Sequence, residues 1–404
     1  MPSASRARFA FVLGALAMFG PFSIDTVFPA FGAMARDLGS TPMAVQQTIS
    51  VYLLGYALMS LFHGAISDAV GRRPVILWGI AAFTLASVGC ALSTDLDTLL
   101  AYRFVQGLSA GVGLIVGRAV IRDLFDGEDA QRLMAQVSMI FSIAPAIAPI
   151  VGGWILGVAD WHAIFWFLAG FSVLLGALVW FLLPETHPPA RRQPLEAGVL
   201  LGNYAGMLRH RRFLWLVAVT TLNFAALFLY ISSAPAIVLG HWGMGEQDFG
   251  WFFVPAIAGM MLGAWVTGRA AGRHGAGVMV RAGFACCLAA TVVNASYAVL
   301  APVPAYPWAV LPLVLLSFGV ALVFPQLMLQ MLDLYPTQRG SASSMQAFLS
   351  LMFHAGVAGV LSPLLSSSPA RLAIAALLLS GAAFALWRWG DAHMRRPAAA
   401  MTAS

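Results

Sequence analysis

The sequence predicts an all-α membrane protein with twelve transmembrane helices arranged as two bundles of six. Of its 404 residues, 60% are hydrophobic and 9% are charged, whereas typical soluble domains have about 45–50% apolar and about 25% charged residues. Apolar runs long enough to cross the roughly 30 Å hydrocarbon core of a bilayer recur along the whole chain. A polar stretch rich in proline and arginine, residues 184–212, follows the sixth run and divides the series in two.

The apolar runs predict twelve spans, which we name in chain order. They cover about residues 9–33, 45–66, 74–93, 98–118, 131–153, 162–183, 213–237, 249–268, 277–300, 307–331, 343–366 and 370–390. Residues 1–183 then form an N-terminal six-helix bundle, residues 184–212 a cytoplasmic linker and residues 213–404 a C-terminal six-helix bundle. Arg6 and Arg8 before the first run are typical of a signal peptide, but the run is longer than the apolar region of such peptides, so we expect an uncleaved span.

Arginine placement predicts the orientation of the chain in the membrane. The chain has no lysine, and its arginines lie mainly in the short connections on one side of the spans. Only Arg36 and Arg371 fall on the other side, and Arg103 lies within span four. By the positive-inside rule, both termini and the linker are cytoplasmic. This orientation explains the formal charge of +6 better than nucleic-acid binding does.

Span one contains a single ionisable residue, Asp25, between Pro21 and Pro29. A carboxyl group inside a bilayer costs at least about 2.5–3.5 kcal/mol on insertion scales, which is typical of residues with a function. A cap or a local pair near the end of the helix is the structural alternative. The two prolines predict a bent helix beside a cavity, where neighbouring groups satisfy the freed carbonyls.

Span four carries Arg103 at a depth similar to that of Asp25. Asp25 lies roughly 24 Å from the cytoplasmic end of span one, and Arg103 lies roughly 8 Å below the outer surface. Arg103 either pairs with Asp25 directly or hydrogen-bonds backbone carbonyls near it, and a purely structural ion pair is a third alternative. Burial favours the neutral form of a carboxyl group, whereas a nearby cation favours the charged form. Asp25 with Arg103 is therefore our candidate for proton coupling.

A motif of glycines and charged residues occupies the connection between spans two and three. Its residues are Gly64, Asp68, Gly71, Arg72 and Arg73. The glycines permit a tight crossing of two helices, and Asp68 can stabilise a helix N-terminus or pair with Arg118 or Arg122 at the base of span four. An ordinary charged turn is the alternative. The spacing resembles the G-x-x-x-D-x-x-G-R-[KR] signature of the major facilitator superfamily, which implies a cytoplasmic gate.

Span five ends in a pattern that resembles the antiporter signature G-x-x-x-G-P-x-x-G-G of drug-efflux members of that superfamily. The residues at the signature positions are Ala148, Pro149, Gly152 and Gly153, and alanines, Ala144 and Ala148, replace its first two glycines. Small residues four positions apart permit close helix contact, and Pro149 predicts a bend where the halves meet on the outer side. The alternative is a packing face with no bearing on the direction of transport.

The pattern as a whole resembles the Bcr/CflA branch of drug/proton antiporters, the bicyclomycin and chloramphenicol resistance family. The resemblance rests on residues 21–29, on the span-five pattern and on Pro184-Glu185-Thr186 after span six. Arg103 followed four residues later by Gly107 is similar to a second signature of the superfamily. The resemblance implies a major facilitator fold, a bacterial inner-membrane location, and proton-coupled export of amphipathic small molecules by rocking of two halves.

Aromatic and amide side chains supply the candidates for a substrate pocket. They are Phe22, Gln106, Asn223, Tyr230, Gln326 and Gln330. Packing or lipid contact is the alternative for each of them. The predicted spans of the second half contain no acidic residue, and His354 lies deep in span eleven. For His354, a hydrogen-bonded helix contact and a proton relay are both open.

Nucleotide-binding loops, metal-ligand clusters and nucleophile–histidine–acid patterns are absent from the sequence. We therefore expect no enzyme activity, no cofactor and no metal. The expected partners are a drug-like small molecule, protons and the lipid bilayer, without nucleic acid and with the protein as a monomer. Two alternatives stay open, namely a proton-coupled exporter of a sugar, amino acid or other metabolite, and a non-transporting membrane receptor or scaffold.

Overall fold

A computed structural model describes residues 3–192, 194–270, 273, 275–301 and 305–394. Within these ranges the regular secondary structure is helical, with no β-strand. Residues 395–404 of the predicted C-terminal bundle lie outside the described residues.

Eleven of the described helices are long and apolar enough to cross a membrane, and one bent pair of helices completes a set of twelve. In chain order the spans are Arg8–Asp37, the bent pair Pro42–Ser60 with His63–Val70, Arg72–Ala91, Leu96–Leu124, Gly127–Leu156, His162–Leu182, Arg211–Ser232, Gly250–Ala270, Ala276–Leu300, Leu311–Leu332, Arg339–Leu365 and Pro369–His393. The all-α membrane fold and the predicted number of spans are confirmed. Span four continues beyond its apolar run at its C-terminal end and span five at its N-terminal end, because both helices include the polar residues there.

Span one is broken directly after Asp25. Its first helix is Ser3–Asp25, a single 3₁₀ turn follows at Phe28–Ala30, and a second helix covers Phe31–Asp37. Pro29 has no amide hydrogen to donate to the carbonyl of Asp25, four residues earlier, so the helical hydrogen bonding cannot continue through this point. Pro21 lies inside the first helix without ending it. The bend predicted from the two prolines is therefore a break caused by the second one.

The linker contains a helix that the sequence analysis did not predict. Ala197–Arg209 is helical and is followed almost directly by span seven. Tyr204 on this helix is buried, and its hydroxyl donates to the carbonyl of Leu61 (2.7 Å), at the bend of span two. Burial also raises the pKa of Tyr204. The linker helix thus packs against the protein instead of being solvated on all sides.

The two halves meet at the ends of the spans that arginine placement assigns to the periplasm, which we call the outer ends. The larger hydrophobic core runs through the first half and continues across the outer ends into the second half. Phe28 of span one and Phe253 of span eight stack there, with ring centres 5.8 Å apart. A separate, smaller core occupies the cytoplasmic end of the second half.

Candidate functional site

The break in span one frees backbone carbonyls, and Arg103 caps one of them. The last turn of a helix leaves carbonyls without an amide partner. The fully buried Arg103 guanidinium donates through Nη1 to the carbonyl of Ser23 (3.1 Å) and through Nε to the carbonyl of Thr48 in span two (3.4 Å). Of the arrangements left open by the sequence, the structure has the one in which Arg103 hydrogen-bonds backbone carbonyls near the acid.

Gln106 and Tyr52 hold the Arg103 guanidinium in place. Arg103 Nη1 donates to Gln106 Oε1 (2.7 Å), and Gln106 Nε2 donates to Ser87 Oγ in span three (2.8 Å). The guanidinium also lies over the Tyr52 ring, 4.6 Å from its centre, where a desolvated cation gains from the ring face. Gln106 was predicted to contact substrate. It is fully buried with both ends of its amide occupied, so it supports Arg103 instead.

Asp25 is the last residue of the first helix of span one, and 5% of its surface is exposed. Within the part of the chain that the structure describes, it forms no ion pair with Arg103. A carboxylate at the carbonyl end of a helix also meets the negative end of the helix dipole. Asp25 is therefore a buried acid at a helix break, and the nearest contact that Arg103 makes to this segment is with the carbonyl of Ser23, two residues earlier.

Ser23 and Tyr52 fix the backbone just before the acid. Ser23 Oγ donates to the carbonyl of Gly20 (2.9 Å), and Tyr52 Oη donates to the same carbonyl (3.1 Å). The two hydroxyl oxygens are also within hydrogen-bond distance of each other, and since each hydroxyl has one hydrogen, this contact alternates with one of the two bonds to Gly20. The sequence analysis missed both residues, because a serine and a tyrosine inside apolar runs have no distinguishing spacing.

The other pocket candidates lie in different parts of the molecule. Phe22 packs against Phe171 of span six, with 5.4 Å between ring centres, inside the first half. Tyr230 accepts a hydrogen bond from Asn294 (2.5 Å) and lines a cavity of about 40 Å³ in the second half. That cavity accommodates a few water molecules at most, so it is too small for a drug-sized ligand.

The remaining pocket candidates, Asn223, Gln326 and Gln330, have amide groups in the second half that are not all occupied by hydrogen bonds within the described residues. Asn223 is buried, and its Oδ1 has no hydrogen-bond partner among the described residues. Gln326 and Gln330 are half-buried in span ten. His354 lies between spans eleven and seven, with its Nε2 3.4 Å from the carbonyl of Thr221, which is the geometry of a helix contact.

The motif between spans two and three forms a network centred on Arg72. Arg72 Nη1 pairs with Asp68 (2.5 Å), and its Nε pairs with Asp123 at the base of span four (3.0 Å). Thr186 after span six donates to the same Asp123 carboxylate (3.0 Å). The predicted pairing of Asp68 with an arginine of span four is therefore wrong for this structure. The acid of span four, Asp123, takes the arginine of the motif instead.

Glu185 caps the start of span three and was missed as a site residue. Its carboxylate accepts hydrogen bonds from the backbone amides of Arg72 (3.0 Å) and Arg73 (3.2 Å), the groups that a helix N-terminus leaves free. Gly71 has φ +116° and a side chain there would meet Glu185, so both the turn and the cap require glycine. Gly64 is different, because a side chain at that position would meet no neighbouring atom. The packing therefore does not require glycine there.

The two glycines at the end of span five face different parts of the protein. A side chain at Gly152 would collide with the carbonyl of Thr26, at the break in span one. A side chain at Gly153 would collide with the carbonyl of Glu246, in the second half. Ala148 and Pro149 are buried in the same helix, which runs unbroken to Leu156. The end of span five therefore packs against span one next to Asp25 through Gly152, and against the second half through Gly153.

The sequence of the chain matches the family model of the Major Facilitator Superfamily over residues 11–358. The chain belongs to the Major Facilitator Superfamily. Within this superfamily, the chain is 32% identical over 273 residues to a bicyclomycin resistance protein homolog of Haemophilus influenzae. The alignment covers 68% of this chain and 69% of the relative. This similarity confirms the branch that the motifs indicated.

Other superfamily members share shorter stretches or the fold alone. The multidrug resistance protein MdtL of Klebsiella pneumoniae is 33% identical over 242 residues, 60% of this chain and 61% of the relative. The xylose transporter XylE from E. coli has a TM-score of 0.72 at 12% identity and covers 96% of this chain and 98% of that chain. The human organic anion transporter MFSD10 has a TM-score of 0.67 at 19% identity, covering 96% and 99%. The structural neighbours show the transporter fold.

Proposed function

We propose that this superfamily member exports amphipathic, drug-like molecules across the bacterial inner membrane in exchange for protons, with Asp25 as the proton carrier. The observation that supports this most directly is the position of Asp25, which is buried at a helix break two residues after the carbonyl that Arg103 caps. The names of the bicyclomycin and multidrug resistance relatives support a drug as the transported molecule.

Arg103 acts in this proposal as the fixed charge and Asp25 as the variable one. Because Arg103 caps Ser23, two residues before the acid, any movement of the break changes the distance between the guanidinium and the carboxyl group. A closer cation favours the carboxylate and a more distant one favours the neutral acid. Substrate entering from the cytoplasm then displaces the proton, and opening of the outer ends allows a new proton to bind.

The network around Arg72 serves as the cytoplasmic gate in this proposal, with Gly64, Asp68, Gly71 and Arg73 as its other motif residues. It lies in the connection between spans two and three, away from Asp25, so it acts on the change of access and not on substrate contact. Both termini are cytoplasmic, as arginine placement predicts, and one chain is sufficient for transport.

The test uses purified protein in proteoliposomes, with bicyclomycin and chloramphenicol as probes and an imposed pH gradient. We expect Asp25→Asn to abolish accumulation against the drug gradient while downhill exchange continues, because the neutral amide cannot release a proton. Asp25→Glu keeps a titratable group and should keep part of the coupling. Asp97→Asn, which neutralises an exposed acid at the start of span four, is the matched control.

Uphill transport by Asp25→Asn at the wild-type rate would overturn the carrier role. Failure of the wild-type protein to transport either drug, with proton-coupled uptake of a sugar or amino acid from a substrate panel, would identify a metabolite exporter instead. Absence of gradient-driven transport for every probe would favour the receptor or scaffold alternative.

A further inference from the structure

We propose that the outer ends of the two halves are locked together by side chains of span two, and that Gly359 in span eleven makes room for this lock. The donors are Gln46, Gln47 and Ser50, and we name them, together with their acceptors in span eleven, the polar seam. The proposal needs only the alternating access of the superfamily. It is independent of which molecule is transported and of whether protons drive it.

Each donor of the polar seam reaches across to the second half. Gln47 Nε2 donates to the carbonyl of Gly359 (2.7 Å), and Ser50 Oγ donates to the carbonyl of Ala355 (2.9 Å). Gln46 Nε2 donates to the carbonyl of Ser232 in span seven (2.8 Å) and to the hydroxyl of Ser362 in span eleven. Three side chains within about one turn of span two therefore bond the opposite bundle.

The acceptors lie on one face of span eleven, at Ala355, Gly359 and Ser362, which are four and three residues apart. Between them the helix widens into a π-turn, Val357–Leu361, in which the Ser362 amide bonds to the carbonyl of Val357, five residues earlier. Such a turn changes which carbonyls have an amide partner, and π-turns are frequent at functional positions. The Gly359 carbonyl that accepts from Gln47 belongs to this turn.

Gly359 is the residue that permits the close approach. A Cβ at this position would lie 2.5 Å from Ser50 Oγ and 2.9 Å from Ser50 Cβ. The Cβ of Ser50 is fixed to the backbone and cannot rotate clear, so a side chain at position 359 would push span two away. Gly356, one turn earlier in the same span, has open space around it. The two glycines thus differ in contact with span two but not in residue type, which makes them a matched pair for mutation.

The polar seam favours the outer-closed state without preventing opening. Gln46 and Ser50 are buried while the halves are in contact, and a buried polar group that loses its partner is costly. Once the halves separate, water can replace the lost partners. The polar seam therefore stabilises the state in which the outer ends are in contact. It disfavours partly separated states, in which its polar groups have lost their partners but are not yet hydrated.

The experiment measures outer opening directly. Phe253 stacks on Phe28 at the outer contact between the halves and is buried. We place a cysteine there with Phe253→Cys, in a background in which Cys90, Cys286 and Cys287 are changed to alanine. Its labelling by a membrane-impermeant maleimide, added outside cells, reports outer opening. We expect Gly359→Ala to raise the labelling rate by about threefold or more, because it adds population to the open state. Gly356→Ala should leave the rate unchanged.

Two further variants, Gln47→Leu and Ser50→Ala, remove donors without adding an obstruction, and they keep the test valid if Gly359→Ala does not fold. Both should raise labelling and weaken the apparent affinity for substrate offered from the cytoplasm, with the maximal rate affected less. Equal labelling of the Gly359→Ala and Gly356→Ala proteins, or unchanged labelling of both donor variants, would overturn the proposal. Neither outcome depends on Asp25, so failure here is distinct from failure of proton coupling.

Discussion

The two halves share one architecture but differ in the groups that they bury. The first half buries Asp25 and Arg103 and a second arginine, Arg72, in the connection between spans two and three. The second half buries neutral hydrogen-bonded groups, such as the pair of Tyr230 with Asn294. A charged side chain in a membrane interior is energetically costly, and it is usually paired with another group, hydrated, or part of a transport mechanism. The first half therefore buries a carboxyl group and two guanidinium groups, whereas the polar side chains that the described part of the second half buries are hydroxyls, amides and the imidazole of His354.

The contacts between the halves follow the same division. The first half contributes the side-chain donors of the polar seam, whereas the second half contributes mostly backbone carbonyls, at Ala355, Gly359 and Ser232. Backbone acceptors change little with sequence, so specificity of this contact depends on the side chains of span two. We infer that the first half determines both the proton response and the closure of the outer ends.

The largest effect that the comparison predicts is at Arg103. Arg103→Ala should destabilise the protein by about 2–4 kcal/mol, because each buried acceptor left without a donor costs about 1–3 kcal/mol. Uphill transport should fall below detection. Asn294→Ala in the second half removes one neutral hydrogen bond and should cost about 0.5–1.5 kcal/mol. Denaturation of the purified proteins and proteoliposome transport measure both quantities.

Equal losses of stability and transport in Arg103→Ala and Asn294→Ala would break the distinction between a charged and a neutral half. Arg103→Lys sharpens the test. It keeps the charge but lacks the planar fork that reaches two spans, so transport restored to the wild-type rate would show that charge alone is sufficient.

The second effect is at Arg72, compared with an arginine of the second half. Arg72 is buried between two acids, whereas the pair of Arg339 with Asp333 is exposed on both sides. Arg72→Ala should lower transport several-fold and leave drug binding within about twofold, because the residue lies away from Asp25. Arg339→Ala should have almost no effect, since exposed pairs contribute about 0–1 kcal/mol. Transport rates and equilibrium binding on the same preparations would show whether burial of the pair is the relevant difference.

The smallest effect concerns a helix cap on the outer side. Asp95 accepts a hydrogen bond from the Thr98 amide at the start of span four (2.8 Å), whereas span ten begins after Val310 without a side-chain cap. This hydrogen bond lowers the pKa of Asp95, so its contribution is present at neutral pH and is lost as the pH falls through the lowered value. Asp95→Ala should speed amide exchange in the first turn of span four at pH 7, with the difference from wild type vanishing in acid.

Hydrogen-exchange mass spectrometry of the peptide covering this turn is the measurement. Asp95→Asn, which retains a capping oxygen but does not titrate, is the control and should exchange more slowly than Asp95→Ala at both pH values. Faster exchange in Asp95→Ala that persists unchanged in acid would show that the cap does not act through its charge.

The sequence by itself was sufficient for the membrane class, the twelve spans and the family, because these follow from features that are local along the chain. Apolar length is one such feature, and the spacing of Asp68, Gly71 and Arg72 is another. The break of span one could also be anticipated, since Pro29 removes an amide wherever the helix lies. The linker helix was missed because the prolines and arginines of residues 184–212 indicated a loop, and its contact with span two, from Tyr204 to Leu61, exists only in the fold.

Only the tertiary structure decided which groups meet, because hydrogen-bond partners depend on geometry between helices distant in sequence. Depth along the helices placed Arg103 near Asp25, but only the packing shows that its donors go to the carbonyls of Ser23 and Thr48. Gln106 has the chemistry of a ligand contact in sequence and acts as a support in the fold. The polar seam has no sequence signature at all, because its acceptors are mostly backbone carbonyls, which every residue possesses.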